Sequence, residues 1–190
     1  MTIIKKITRN NWFCIICLSL IVNSCGSTNN VAEESNNCVL LDVDISEYKL
    51  SSIKNKLANN EIENYFESNY KYDILDYVGK SGESDYSIER WFYKSSNVFV
   101  HIKIINEKKS ITEIKIIEND IKFLFEKLES QSYTKYCGGC YGCDIGLLLI
   151  KNKDIFFKYH YNGIFHKDLN QTEKNKIINS IEILNFFKNQ

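Results

Sequence analysis

From residue 38 onward, apolar and polar positions either alternate or recur at helical spacing, and each stretch predicts an element. In 38–45 (CVLLDVDI), Leu41, Val43 and Ile45 fall on one side and Asp42 and Asp44 on the other, the period of a half-buried strand. From Glu47 to Asn69, Leu50, Ile53 and Leu57 share one helical face, and Ile62, Tyr65 and Phe66 another. Asn60 and Glu63 have the spacing of a capping box that starts a second helix. Three strands are expected next, at about Tyr86–Lys94, Val98–Ile105 and Ile111–Ile117, joined by polar turns of hairpin length. In the middle strand Val98, Val100, Ile102 and Ile104 share one face. Phe99, His101 and Lys103 take the other, which makes His101 an outward or half-buried sheet residue.

Ile121, Leu124, Phe125 and Leu128 then recur at i, i+3, i+4 and i+7 behind Asn119 and Asp120, which predicts a helix with two cap candidates. Gly146–Lys151 and Asp154–Tyr161 read as a hairpin through Asn152. Asn170–Phe187 reads as a closing helix, with Ile177, Ile181 and Leu184 as its buried stripe and Asn170 and Glu173 as its cap. Hairpin strands interspersed with helices predict one α+β domain over residues 38–190, an antiparallel sheet with helices packed on it.

The first 37 residues follow neither pattern. Lys5, Lys6 and Arg9 precede Trp12–Val22, an uncharged run of 11 residues, whereas a membrane-spanning helix needs about 20. A basic start, a short apolar run and small residues before a cleavage point form the layout of a secretory signal peptide. Val22-Asn23-Ser24-Cys25 resembles the lipobox of bacterial lipoproteins. That resemblance implies removal of residues 1–24 and lipidation of Cys25 by diacylglyceryl, usually followed by acylation of its new amino group. Two or three acyl chains hold a protein firmly, whereas one gives marginal residence. Residues 25–37 then read as a lipidated, polar tether with too little apolar content to join a core. The chain is rich in Asn, Ile and Lys and has no proline. This fits the low-GC coding of a Bacteroidetes-type organism, which places the protein on the outer membrane rather than the inner, facing the periplasm or the surface.

The element order, ending in Asn179-Ser180-Ile181-Glu182-Ile183-Leu184, is similar to PsbP/Mog1-like lipoproteins and export-associated domains. Residues 47–117, read as two helices and three strands, resemble a BamE-like arrangement. The signal region takes three of the 24 basic residues and none of the 24 acidic ones, leaving 21 against 24, a net of −3. This speaks against a nucleic-acid partner, which needs a basic face. Asp42 and Asp44 lack the third oxygen ligand and the glycine of a calcium loop.

Candidate chemistry rests on cysteine. Of seven, Cys14 and Cys17 leave with the signal peptide and Cys25 takes lipid, so Cys38, Cys137, Cys140 and Cys143 remain. An even number of thiols in an exported domain reads as two disulfides. One arrangement joins Cys38 to a cluster cysteine, and the other two cysteines close a local loop. Two sharper readings stand beside it. Cys137-Gly138-Gly139-Cys140 has the spacing of a redox pair, although thioredoxin-type pairs sit between a strand and a helix near a cis-proline, and this one precedes an apolar strand. Cys137, Cys140 and Cys143, completed by Cys38, His160 or His166, also have the spacing of a zinc or copper site. A ferredoxin-type cluster would need a further cysteine where Leu147 stands.

The sequence carries no phosphate loop, nucleophile-elbow serine or His-Glu-x-x-His. Phe156, Phe157, Tyr159 and Tyr161 suit sheet packing or an apolar pocket. The reading is a non-catalytic binding or envelope-assembly module with a disulfide-stabilised fold and no cofactor. Its partners are the membrane, through Cys25, and another envelope protein or a small apolar ligand. The alternative is a thiol-redox or zinc/copper-binding lipoprotein centred on Cys137, Cys140 and Cys143.

Overall fold

A computed structural model describes residues 38–43, 56–80, 86–138, 143–165 and 167–190. The chain divides into two units, 1–35 and 36–190, and the described residues all belong to the second. They form β1 (Cys38–Asp42), α1 (Lys56–Glu67), β2 (Tyr72–Lys80), β3 (Tyr86–Ser95), β4 (Val98–Ile105) and β5 (Lys108–Lys115). After these come α2 (Glu118–Glu126), β6 (Gln131–Cys137), β7 (Asp144–Asn152), β8 (Ile155–Asn162) and α3 (Gln171–Lys188). The eight strands make one sheet in the order β1-β6-β8-β7-β2-β3-β4-β5. Every pairing is antiparallel except β6 with β8. The domain is therefore α+β, with a mostly antiparallel mixed sheet and three helices among the described residues.

The helices cover both faces. Ala58, Ile62 and Tyr65 of α1 pack on Leu75, Ile88, Val100, Ile102, Ile104, Leu147 and Leu149. On the opposite face α2 and α3 bury Ile121, Leu124, Phe125, Ile177, Ile183, Leu184 and Phe187 against Ile74, Trp91, Phe99, Leu148, Ile150 and Tyr159. Because β7 is covered on both sides, its Leu147-Leu148-Leu149-Ile150 run is continuous rather than alternating. Two-residue turns join β3 to β4 through Ser96–Asn97 and β4 to β5 through Asn106–Glu107. All four of these residues have positive φ, the geometry that matches the twist of a hairpin. Gly146 is required by a close approach: a Cβ there would stand within the Tyr161 ring that lies across it.

Several expectations are corrected. On β1 the inward positions are Cys38 and Leu40, while Leu41 is exposed, opposite in parity to the alternation expected for 38–45. Pairing of Cys38 with Cys137 fixes that register, and Asp44 and Ile45 lie outside the described residues. Asn60 and Glu63 do not start a helix, since both lie within α1. The part of the expected first helix before Lys56 is outside the described residues. β2 was not expected; it gives residues 47–117 four strands, one more than the two-helix, three-strand reading. Asn119 and Asp120 belong to the first turn of α2, whose N-cap is Ile117. The cap comes from elsewhere: Asn97 Oδ1 in the β3–β4 turn accepts the Glu118 amide at 2.9 Å. The last strand of the meander runs Lys108–Lys115 rather than to Ile117.

Other expectations agree with the structure. The Val98, Val100, Ile102 and Ile104 face and the β7–β8 hairpin are present. So is the Asn170–Glu173 capping box of α3.

Candidate functional site

Two regions concentrate chemistry, and the first is the cysteine edge. Cys38 and Cys137 stand directly opposite each other on β1 and β6, with Cα atoms 4.2 Å apart, and form a disulfide across a sequence separation of 99. Cys143 is disulfide-bonded too. Cys25, Cys140 and His166 lie outside the described residues. The fold therefore brings Cys38 to Cys137, in keeping with the arrangement that joins Cys38 to a cluster cysteine. With Cys137 in a disulfide, its sulfur is not free to complete the three-thiolate set. Among the described residues no group of three or more His, Cys, Asp or Glu is placed to hold a metal ion. His160 is half-buried on β8, and burial holds its imidazole below the usual value. His101 lies on the other side of the sheet centre, stacked on Trp91 at 4.8 Å and 3.1 Å from Glu89 Oε2. That hydrogen bond, with Lys103, holds the Glu89 carboxyl down at about 2.

The second region lies where the C-terminus of α1 meets the starts of β2 and α2 and the β7–β8 turn. The sequence reading did not find it. Arg90 on β3 is 3% exposed, and its Nε and Nη2 donate to Asp73 Oδ1 and Oδ2 at 2.9 and 2.7 Å. Its Nη1 donates to Glu61 Oε1 at 2.8 Å, and Nη2 also reaches the Asn64 carbonyl at 3.3 Å. Lys109 donates to the other Glu61 oxygen at 3.0 Å, and Ser68 Oγ donates to Asp73 Oδ2 at 2.6 Å. A buried charge is tolerated only when paired and hydrogen-bonded. Burial alone would lower the Arg90 guanidinium, but its bonds to Asp73 and Glu61 outweigh burial and hold it above its usual value.

Lys151, also buried, donates to the Tyr65 and Ser68 carbonyls at 3.1 and 2.7 Å, adding a charged donor where α1 ends. Desolvation pulls its ammonium down. Lys71 bonds Glu118, whose second oxygen accepts the Tyr93 hydroxyl at 3.3 Å.

Three cavities adjoin these groups. One of about 530 Å³ is floored by Arg90, Phe92 and Ile102 and walled by Glu61, Asn64 and the 67–70 loop, with Lys109 beside it. A second, of about 440 Å³, shares Ser68, Asn69 and Tyr70 with it and reaches Lys151 and Phe156. A third, of about 610 Å³, shares Lys71, Lys153 and Asp154 with the second and runs to Glu118 and Glu126. The wall between the first two carries Tyr70, which stacks on Phe92 at 4.2 Å and 17°.

Comparison with protein families, with curated proteins and with solved structures finds nothing that matches this chain. Function is therefore read from the site alone. The signal that could have located it is charge inside strand-like sequence: Asp73 and Asp76 in YDILDYVGK, Arg90 in YSIERWFYKS, and Lys151 ending LLLIK. A charged residue in a strand that is covered on both faces needs a buried partner.

Proposed function

We propose that the mature chain is a lipid-anchored protein of the bacterial cell envelope, more exactly of its outer membrane, that binds a partner rather than catalysing a reaction. The observation that carries this reading is the Cys38–Cys137 disulfide. Disulfides persist in oxidising, exported compartments, so this bond supports export independently of the signal-like residues 1–25. The bond has an evident structural task. β1 is only five residues long and contributes only Cys38 and Leu40 to the covered face, and the bridge fastens it to β6 at the edge of the sheet. On this reading Cys25 carries the lipid, Cys38 and Cys137 hold the edge, and Cys140 and Cys143 close a local loop beside it. The buried ions around Arg90 bond to one another and so act as scaffold.

The test is a Cys25→Ala variant of the full chain. The wild type should partition with membranes and into detergent, and the variant should be released to the aqueous phase. Unchanged retention would overturn the anchor. Intact mass after alkylation without reductant is expected to show Cys38, Cys137, Cys140 and Cys143 all protected; a metal adduct or alkylated cluster thiols would favour the thiol or metal reading instead.

A further inference from the structure

We infer that the cavity between α1 and β3–β5 is a binding site for a neutral saccharide. This rests on the binding-module reading above and names the ligand class of that module. The argument starts from charge. Four lining groups are ionic, two acidic (Glu61 and Glu67) and two basic (Arg90 and Lys109), so the lining has no net formal charge. Arg90 and Lys109 are both bonded to Glu61, and Arg90 also to Asp73. An anion would have to compete with these carboxylates for the cations and would meet Glu67. A cation would meet Arg90 and Lys109. An apolar ligand would desolvate the exposed polar side chains of Asn64, Glu67 and Asn69 without replacing their bonds to water, which costs free energy for each polar group.

The remaining chemistry is that of a polyhydroxylated, uncharged molecule with an apolar C–H face. Tyr70 is the platform. Its ring is stacked on Phe92 at 4.2 Å and the residue is 37% exposed, and the electron-rich face of an aromatic ring attracts weakly positive C–H groups. The platform is rigid because Phe92 in turn carries Arg90 over its ring at 5.2 Å, and Arg90 is fixed by Asp73 and Glu61. Around the platform the exposed amides of Asn64 and Asn69 can both donate to and accept from vicinal hydroxyls, and the exposed Glu67 carboxylate can accept from them. The volume, about 530 Å³, lies within the usual range for small-ligand sites. The adjoining cavity past Tyr70, with Phe156 in its lining, offers room for further sugar units of an oligosaccharide.

The experiment is calorimetric titration of the full chain in detergent with maltohexaose, cellohexaose and chitohexaose. At least one is expected to bind with micromolar to millimolar affinity. Tyr70→Leu, which keeps apolar cover on Phe92, should weaken binding at least tenfold at unchanged melting temperature, and Asn64→Ala, on the exposed face of α1, at least threefold. Binding by none of the three, or binding unaffected in both folded variants, would overturn the inference. Membrane partitioning of the wild type and the Cys25→Ala variant is scored separately, so loss of the saccharide site and loss of the lipoprotein reading give different results.

Discussion

Asp73 and Asp76 stand three residues apart on β2 and so face opposite sides of the sheet, and their surroundings offset burial to different extents. Both carboxyls are pushed up by burial. Asp73 recovers part of that cost through two bonds from Arg90 and one from Ser68, and its carboxyl still stays above the usual value. Among the described residues Asp76 is bonded by Lys188 alone, at 2.6 Å on one oxygen, while its buried Oδ1 meets no partner. Breaking a buried pair from one side costs about 3–5 kcal/mol, so Asp73→Asn is expected to lose that much in urea denaturation at pH 7. Asp76→Asn should change stability by less than about 1 kcal/mol, because the Lys188 ammonium is partly exposed and returns to water. The sign with pH follows. A folded pKa above the unfolded one means that Asp76 contributes most when protonated and loses that contribution as pH rises through its folded value. The relative stability of Asp76→Asn should therefore improve from pH 4 to pH 7. A fall over that range, or equal losses from the two variants, would contradict this account.

At the scale of elements, α3 is tied to the first strand through one carboxylate. Glu173 Oε2 accepts the Asn170 amide at 3.1 Å to complete the capping box, and Oε1 accepts the Leu40 amide of β1 at 3.0 Å. The capping box was legible in the sequence because it is a local spacing. The second bond was not, since it joins residues 133 apart. Glu173→Ala is expected to cost about 1–2 kcal/mol, at the scale of a lost cap plus one hydrogen bond. It should also accelerate amide exchange at Leu40 while β7 and β2 stay protected; exchange that rises only within α3 would show that the link to β1 is not made. The same contrast explains α2. Asn119 and Asp120 look like caps, but Asn97 from a distant turn occupies that role, and no local pattern encodes it.

For the molecule as a whole, the disulfide decides how β1 belongs to the fold. In the chain-entropy account, a cross-link closing about 100 residues stabilises by about 4–5 kcal/mol, less any strain it imposes. The double variant Cys38→Ser, Cys137→Ser is expected to keep the far-ultraviolet circular dichroism of the wild type and to lose about 3–5 kcal/mol in urea denaturation. A loss below about 1 kcal/mol would remove the structural task assigned to the bond. The sheet is otherwise held from its centre, where β7, β2 and β3 are covered by α1 on one face and by α2 and α3 on the other.

The sequence by itself determined the α+β class, the β3–β4–β5 meander with its middle-strand faces, the β7–β8 hairpin, and α2 and α3 with the cap of α3. These rest on period, turn chemistry and short-range spacing, all of which act within a few residues. It also made Cys38 a partner for the distant cluster by counting thiols. Only the tertiary structure decided β2, because Asp73 and Asp76 interrupt its apolar pattern and are acceptable only once Arg90 and Lys188 reach them. It alone set the parity of β1, which pairing with β6 fixes against the local alternation. The cavity beside Tyr70 also arises only there: its lining comes from α1, the loop after it, β3, β4 and β5, and the bonds that neutralise its charges span 17 to 48 residues. Charge pairing over such separations is a property of the packed sheet, and a linear pattern records only that the charges exist.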